Sequence, residues 1–479
     1  MGMAQGDNAF LDRAFWKTSP SVGDVKQKIE QGNDPTAATS ANFDGVVYAI
    51  LENAPLETVK YLLSLKGNEV TKITHDGRNY LMWASYNGDL ELVKLLVALG
   101  SDTKILDDRG NTVLTFTAGA GQLDPNLYQY ILSQGGSIME TNHNGANALH
   151  LLVPHIKDLS QLDYFIDKGL DLNSVDLQGN TLFNYAARMG NIAIMDQLIA
   201  TGMDPAALNE EGANAMVYAS YGGRGHTNPL SVYEYLHGKN VAANVVTKDG
   251  VTPLHGIASR TADTAVVDFF LDKGVDVNQV DAEGNTSFLN AVAGNNLEIA
   301  HYLFPKVEDI DHTNNGGHSA LTLALGNKAG GFFDFLLSKG ADATLVDKDG
   351  NTLAYHAFKA YDTEKSAHFL STLKDRGVDL AQDQGKGNTL FHLAVSQELP
   401  SLIDKAVELG VDIDKKNQDG LTPLHLAAMK SKDGSLLQAL IAQGADKSIL
   451  TDFEESALDL ARENELLSKN GVALNFLEK

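Results

Sequence analysis

Glycine recurs along this chain at a nearly constant spacing, and this spacing constrains the possible folds more than any other sequence feature. Twelve glycines open the pattern Gly-x-[Thr/Ser/Asn]-x-apolar, most loosely at the first, and lie 32 to 38 residues apart: Gly45, Gly77, Gly110, Gly145, Gly179, Gly212, Gly250, Gly284, Gly317, Gly350, Gly387 and Gly420. Less regular units begin near Gly6 and Glu454, which brings the number of units to 14. A fixed period of this length is typical of stacked repeats, so we expect one array and not the roughly three domains that 479 residues would otherwise suggest.

The residues of one unit predict two short helices followed by a turn-rich finger. Thr252 and Thr422 can cap a first helix with their hydroxyl groups, and a proline follows each at the first helical position, where a missing N–H group has no cost. Apolar residues three or four apart predict a second helix, for example Leu90, Val93, Leu96 and Val97. A glycine can then end this helix in the left-handed conformation, and Asp and Asn favour the turns that follow. One such unit is too small to bury its apolar face, so the units must stack.

A second pattern closes many units at a fixed offset from the first, as in Lys-Gly-Val-Asp at residues 273–276. The first pattern reads Gly-x-Thr-Pro-Leu-His in its two best copies, at residues 250–255 and 420–425. The linked patterns resemble the ankyrin repeat. This resemblance implies an all-α solenoid of about 14 stacked helix–turn–helix–finger units, curved, and continuous over residues 1–479. Within it we expect cap-like units at residues 1–41 and 453–479, with twelve repeats at residues 42–452.

The composition limits the compartment and the partners. Acidic residues outnumber Lys and Arg by 62 to 37, and the net charge of −25 disfavours binding to nucleic acid or to anionic membrane surfaces. The chain contains no cysteine, which excludes disulfides and cysteine-based metal sites. This absence favours a periplasmic or secreted protein, with the cytoplasm as the alternative, and the excess of Lys over Arg favours a bacterial source. No apolar run is long enough to span a membrane, and we expect a monomer.

The sequence shows no set of residues that supports catalysis. It lacks the Gly-x-x-x-x-Gly-Lys-[Ser/Thr] phosphate loop, the His-Glu-x-x-His zinc motif and the Gly-x-Ser-x-Gly nucleophile motif. We therefore predict no catalytic residue, no cofactor and no metal site. Residues 347–351 resemble the start of a calcium loop but lack its later ligands, and His312 and His318 flank an ordinary finger. Four histidines share one repeat position, where the resemblance implies a structural bond to the neighbouring finger: His150, His255, His392 and His425.

The resemblance implies that a partner docks on the concave surface of the array. This surface is formed by the fingertips, which are the residues just before and after each repeat glycine, and by the solvent side of each first helix. By register we place eight candidate contact residues there: Arg78, Tyr86, Asn87, Arg109, Arg188, Tyr221, Arg260 and Lys359. Arg and Tyr are enriched at binding hot spots, whereas Trp83 and Tyr185 lie one turn earlier and are expected to pack inside. We predict a non-catalytic scaffold for a protein partner, and the net charge would steer a partner with a basic patch. The alternative is a carrier or sensor of a small ligand or metal, in the groove or in the 221–229 loop.

Overall fold

In a computed structural model that describes residues 8–360 and 365–478, every regular element is helical. The chain forms two compact units, Met1–Lys248 and Asp249–Lys479, and the described part of each contains seven helix pairs. The predicted all-α fold of about 14 helix–turn–helix–finger units is therefore confirmed. In the same ranges, no helix combines the length and the apolar content that crossing a bilayer requires. The single continuous array over residues 1–479 stays a prediction.

The first unit contains helices α1 to α14. The successive pairs are α1 (Arg13–Lys17) with α2 (Val22–Glu30), α3 (Gly45–Leu51) with α4 (Leu56–Leu63), α5 (Tyr80–Tyr86) with α6 (Leu90–Ala98), α7 (Val113–Gly119) with α8 (Pro125–Ser133), α9 (Ala148–Leu152) with α10 (Asp163–Asp167), α11 (Leu182–Arg188) with α12 (Ile192–Ala200), and α13 (Ala215–Tyr221) with α14 (Leu230–Gly238). Of the predicted cap-like unit at residues 1–41, residues 1–7 lie outside the described residues. The rest of that unit forms α1 and α2 and buries Phe10, Trp16 and Val25 completely.

The second unit contains helices α15 to α28. The successive pairs are α15 (Pro253–Ala258) with α16 (Thr264–Asp272), α17 (Ser287–Ala293) with α18 (Leu297–Leu303), α19 (Ala320–Gly326) with α20 (Gly330–Ser338), α21 (Leu353–Lys359) with α22 (Lys365–Asp375), α23 (Leu390–Ser396) with α24 (Ser401–Glu408), α25 (Pro423–Lys430) with α26 (Ser435–Ala442), and α27 (Ala457–Glu463) with α28 (Glu465–Lys469). The last pair corresponds to the predicted unit at residues 453–479, and it buries Leu460, Ala461 and Leu467.

Polar side chains at the end of each finger start the first helices, as α25 illustrates. The hydroxyl of Thr422 accepts a hydrogen bond from the N–H of His425 at 3.3 Å, and Nδ1 of His425 accepts one from the N–H of Thr422 at 3.1 Å. Pro423 occupies the first helical position, where no N–H group is needed. Losing such a cap costs about 1 kcal/mol. The Thr-Pro-x-His sequence therefore fixes where this helix begins.

Small residues let the first helices of consecutive units approach closely. Helix α5 packs on α7, and α11 packs on α13. The alanines at these contacts are fully buried, namely Ala84, Ala118, Ala186 and Ala219. Second helices bury larger side chains, and α6 covers Leu92, Val93 and Leu96. Each such side chain contributes about 1.5–3 kcal/mol when it is fully buried, so most of the stability of the stack lies in these contacts.

Backbone hydrogen bonds join consecutive fingertips, and we call this series the fingertip ladder. The N–H of Asp108 donates to the carbonyl of Asp76 at 3.0 Å, and the N–H of His143 donates to the carbonyl of Arg109 at 3.1 Å. Equivalent bonds occur further along: Leu177 to Asn144, Glu210 to Gln178, Ala282 to Asp249, Asn315 to Glu283 and Gln418 to Lys386. Gly110 has a φ of +69°, and a Cβ there would lie 2.0 Å from the ring of His143. Glycine is therefore required where successive fingers approach so closely.

Candidate functional site

Two adjoining depressions lie on the surface of the first unit, and we call them together the arginine groove. Fingertips and first helices line both, and the shared residues are Arg78, Tyr86, Arg109 and Phe116. Further residues line one or the other, among them Arg13, Phe43, Tyr48, His75, Asp76, Asn87, Arg224, His143, Tyr185 and Arg188. Their cavity volumes are about 560 and 520 Å³. Each lies within the usual 300–1,000 Å³ of a small-molecule pocket, so the groove has room for a small ligand or for side chains of a larger partner.

The local charge of the arginine groove is opposite in sign to the charge of the whole chain. Five of the eight arginines in the sequence line it: Arg13, Arg78, Arg109, Arg188 and Arg224. Among its described lining residues, Asp76 is the one carboxylate. The chain as a whole has a net charge of −25. Arg13 pairs with Glu52 and Arg78 pairs with Asp107, so the positive charge of the groove comes from the other three arginines, and it favours an anionic group.

Arg78 forms a buried ion pair at the centre of the groove. Its Nε and Nη2 both lie 3.0 Å from Oδ2 of Asp107, and Nη2 lies 3.3 Å from Asp76. The guanidinium carbon is 4.4 Å from the ring centroid of Phe116 and 5.1 Å from that of Trp83. The Arg78 side chain is only 8% exposed, and that of Asp107 is fully buried. Arg78 was predicted as a solvent-side contact; the structure places it mainly between two fingers, with one edge toward the groove.

Three other arginines in the groove are exposed: Arg109, Arg188 and Arg224. Arg109 lies at a fingertip, and Arg188 is the last residue of α11. The Nε of Arg188 donates a hydrogen bond to the carbonyl of Gly222 at 2.8 Å. Within the part of the chain that the structure describes, none of the three forms an ion pair with a carboxylate. Their charges are therefore available to a ligand.

Aromatic side chains form the floor of the groove. Trp83 is 5% exposed, as predicted for a residue that packs inside, and its Nε1 donates to the hydroxyl of Thr74 at 2.8 Å. Tyr86 is 39% exposed, and its ring centroid lies 5.3 Å from that of Phe116. Tyr185 is partly buried, and its hydroxyl donates to Asp176 at 2.9 Å. Burial, together with the nearby carboxylate, raises the pKa of Tyr185 well above its usual value. The floor thus offers apolar rings beside the guanidinium groups.

The structure brings five of the eight predicted contact residues together in the groove: Arg78, Tyr86, Asn87, Arg109 and Arg188. Asn87 also has a structural role, since its Nδ2 donates to the carbonyl of Ile50 at 2.7 Å. Tyr221 ends α13 and packs 6.0 Å from the ring of Tyr218. Arg260 and Lys359 belong to the second unit, where Lys359 ends α21. Whether a partner touches any of these eight residues stays a prediction.

The sequence-based list omitted several residues that line the groove. His143 precedes a repeat glycine by two positions, so the fingertip rule that selected Arg109 could have found it. Phe116 lies six residues after Gly110, the same register as Trp83 after Gly77. No periodic signal identifies Arg13 or Arg224, because one lies in the least regular unit and the other in an insertion.

Histidines at the shared repeat position fix neighbouring fingers, as the resemblance implies. Nε2 bonds to the backbone carbonyl of the next finger at 3.0 to 3.2 Å in three of them, namely His255, His392 and His425. Nδ1 of each accepts a backbone N–H bond, which requires a neutral ring protonated at Nε2. Burial lowers the pKa of each of these imidazoles and so favours this form. The fourth, His150, differs, because its buried Nε2 has no hydrogen-bond partner among the described residues.

The 221–229 loop joins α13 to α14, and Asn228 ties it to the stack. The Nδ2 of this buried side chain donates to the carbonyl of Ala219 at 2.8 Å and to that of Ala187 at 3.1 Å. Gly222 adopts a φ of +53°, and a Cβ there would lie 2.3 Å from the carbonyl oxygen of His226. The loop is therefore held at both ends, and it presents Arg224 to the groove.

One group of side chains in the second unit has the composition of a metal site. It consists of His318, Asp347 and His356, and one ligand atom from each lies within 4.8 Å of the others. It is the one such group found among the described residues. His312, which was considered together with His318 from the sequence, instead bonds through Nε2 to the carbonyl of Gly284 at 2.8 Å.

Family models match the chain along most of its length. A model of three consecutive ankyrin repeats matches residues 25–107, 81–155 and 226–314, and a model of many copies matches residues 157–199. A model of a single ankyrin repeat matches residues 419–452. Ankyrin repeats bind protein partners. Together these matches cover more than half of the chain.

Individual relatives are distant and differ in length. The human transient receptor potential cation channel subfamily A member 1 is 22% identical over an alignment of 452 residues, which covers 82% of this chain and 39% of the channel. The chicken nuclear factor NF-kappa-B p105 subunit is 31% identical over an alignment of 216 residues, which covers 43% of this chain and 18% of that protein. The chain therefore spans less than half of the length of either relative.

Two solved structures show a partial similarity to this chain. One is the human ASB11 ankyrin repeat domain, which is 23% identical at a TM-score of 0.40 and covers 48% of this chain and 99% of its own. The other is the predatory endopeptidase Bd0816 from Bdellovibrio bacteriovorus in complex with immunity protein Bd3460; its matching chain is 26% identical at a TM-score of 0.35, covering 40% of this chain and 97% of its own. The repeating helix pairs and the matches to repeat models agree, and the chain belongs to the ankyrin repeat family.

Proposed function

We propose that the chain is a non-catalytic scaffold, and that its arginine groove binds an acidic segment of a partner protein containing aromatic or apolar side chains. The supporting observation is that three exposed arginines of the groove, Arg109, Arg188 and Arg224, form no ion pair among the described residues, on a chain of net charge −25. Guanidinium groups bind carboxylates through paired hydrogen bonds, and the aromatic floor offers contact for apolar side chains. Arg and Tyr at the centre of such a groove are typical of binding hot spots.

The segment proposed here is acidic, whereas the net charge of the chain favours a partner with a basic patch. Net charge acts at long range, and salt screens it beyond about 8 Å under physiological conditions. Inside the groove, the three exposed guanidinium groups of Arg109, Arg188 and Arg224 are nearer to a ligand than most of the carboxylates are. The acidic remainder of the surface then disfavours an acidic segment elsewhere, which directs that segment to the groove.

The test starts by replacing Tyr86 with a photo-cross-linking phenylalanine analogue in cells that express the chain, and by identifying the cross-linked partner. Affinity is then measured with the purified partner for wild type and for the combined variant Arg109→Glu, Arg188→Glu and Arg224→Glu. If each exposed pair contributes about 0.5 kcal/mol, the combined variant should bind about tenfold more weakly or worse. Binding to wild type should also weaken as salt rises.

The matched control is Arg462→Glu, which reverses an exposed arginine on α27 of the second unit. It changes the net charge of the chain in the same direction but leaves the groove intact, and its affinity should stay close to that of wild type. An unchanged affinity in the combined variant would refute the proposed contact.

We also propose that the chain is a monomer and that it acts in the periplasm or outside the cell. The absence of cysteine supports this location, because an oxidising compartment does not affect such a chain. Light scattering should give a mass near 51.4 kDa for a monomer. Fractionation of the source cells should place the protein outside the cytoplasm; its recovery with the cytoplasmic fraction would contradict that part of the proposal.

A further inference from the structure

Three side chains from two neighbouring fingers and one helix meet in the second unit. His318 follows the fingertip glycine Gly317, Asp347 begins the next finger, and His356 lies on α21. Nε2 of His356 is 3.0 Å from Oδ2 of Asp347, and the ring centroids of the two histidines are 5.6 Å apart. One ligand atom from each residue lies within 4.8 Å of the other two. We call these residues the His–Asp–His cluster.

The finger itself holds the carboxylate of Asp347 in place. Its Oδ1 accepts bonds from the N–H groups of Asp349 and Asn351, both at 2.9 Å. Its Oδ2 accepts a bond from Nδ2 of Asn351 at 2.9 Å and faces His356. The carboxylate therefore points toward the two imidazoles without depending on them for its orientation.

Other fingers show that the fold does not need imidazoles at these two positions. Tyr185 is the equivalent of His356, six residues after a repeat glycine, and its hydroxyl bonds to Asp176 as His356 bonds to Asp347. Asn285 is the equivalent of His318, and its side-chain oxygen accepts a bond from Asn314 of the next finger at 3.0 Å. Tyrosine and asparagine thus serve the finger elsewhere, and two histidines add a chemistry that stacking does not require.

We propose that His318, Asp347 and His356 bind a divalent transition-metal ion with a preference for nitrogen and oxygen ligands, such as Zn²⁺. Two imidazoles and one carboxylate are a common ligand set for such an ion, and three protein ligands leave at least one coordination position open. Ligand atoms about 2.0–2.1 Å from a tetrahedral ion are about 3.4 Å apart, so a small rotation of side chains now within 4.8 Å closes the site.

The open position would face a shallow groove of the second unit. His318 and His356 line this groove together with Thr322, Asn327 and Lys359. An ion held there would join the finger that contains His318 to the following finger and helix α21. It would therefore clamp two consecutive repeats, and a water molecule or a carboxylate of a partner could complete its coordination.

The experiment uses the full chain after treatment with a chelator and removal of any histidine tag. Titration calorimetry with Zn²⁺ should show one ion per chain, Co²⁺ should give the visible absorption of a bound ion, and Zn²⁺ should raise the melting temperature by several degrees. The variants His318→Asn and His356→Tyr copy the residues that other fingers use. They should melt close to wild type in the presence of chelator but bind Zn²⁺ at least tenfold more weakly.

The matched control is His368→Asn, since Nε2 of His368 pairs with Asp334 at 2.8 Å on an exposed surface, and these two side chains belong to no cluster of three ligands among the described residues. Its affinity for Zn²⁺ should equal that of wild type. The proposal is overturned if wild type shows no saturable binding, if both cluster variants retain wild-type affinity, or if the control variant loses as much affinity as they do.

Discussion

Replacing Asp107 and replacing Arg78, each in a separate variant, should lower the free energy of unfolding by different amounts. Asp107→Ala leaves a buried guanidinium without its main counter-ion and removes the acceptor for backbone N–H groups of Arg109 and Asn111, at 2.9 and 2.8 Å. Removing one partner of a buried pair costs about 3–5 kcal/mol, and Asp76 at 3.3 Å compensates in part, so we expect about 4 kcal/mol. Arg78→Met also leaves a buried charge, but the Asp107 carboxylate keeps its hydrogen bonds from Arg109 and Asn111, so we expect a smaller cost of about 2 kcal/mol.

Asp107→Asn separates the charge from the hydrogen bonds. The amide oxygen can still accept the fingertip N–H bonds, but no negative charge faces Arg78, so we expect a loss between the two values above. Burial alone would raise the pKa of Asp107, but hydrogen bonds from Asn111, Arg109 and Arg78 outweigh burial and hold the pKa below its usual value. The carboxylate is therefore charged at neutral pH, and its stabilising effect disappears as the pH falls through that lowered pKa.

Tryptophan fluorescence during urea unfolding provides the assay. The chain has two tryptophans, both in the first unit, and the ring of Trp83 lies 5.1 Å from the guanidinium of Arg78. In a Trp16→Phe background the signal reports on this region. With a slope of about 2 kcal/mol per molar urea, 4 kcal/mol shifts the midpoint by about 2 M. Asn142→Ala is the control, because Asn142 holds the next fingertip through uncharged bonds alone. If Asp107→Ala shifts the midpoint no more than Arg78→Met does, the argument from an unpaired buried guanidinium is wrong.

Three further predictions concern stability and the loop. Lowering the pH from 7.5 to 5.5 should lower the melting temperature, because burial holds the pKa of His255, His392 and His425 below 6.5 and the unfolded chain takes up protons first; an unchanged melting temperature would contradict this. Asn228→Ala should cost about 2 kcal/mol in urea unfolding, because buried carbonyls lose their donor, and a cost near zero would speak against that role. Gly222→Ala should lower the melting temperature, since its Cβ would meet the carbonyl of His226 at 2.3 Å; a variant as stable as wild type would argue against the loop conformation.

The sequence was sufficient to predict the fold because the residues that specify each helix pair are close together in the chain and recur in most units. The repeat glycines, the Thr caps and the period of apolar residues predict 14 helix pairs, and 14 are observed in the described residues. The positions of Tyr86 and Arg188 at the ends of first helices follow from register alone. These features depend on a few neighbouring residues, so the pattern is visible along the chain.

The details of the groove depend on contacts between fingers, which a pattern along the chain does not reveal. Arg78 pairs with Asp107, which is 29 residues further along the chain. Arg78 is therefore part of a buried ion pair, whereas the sequence predicted an exposed surface contact at this position. His318 was considered together with His312 from the sequence, whereas its neighbours in the structure are Asp347 of the next finger and His356 of α21. A search that pairs the residue after each glycine with the first residue of the next finger would have found both contacts. Arg224 lies in an insertion outside the register, so no such rule places it in the groove.

The fingertip ladder has a consequence for how such a gene can change. Each rung seen in the described residues joins a backbone N–H donor to a carbonyl acceptor one unit earlier. Excising or duplicating a stretch of DNA from one repeat glycine to the next would therefore leave a matching donor and acceptor at the new junction. Array length can then vary in steps of about 33 codons by recombination.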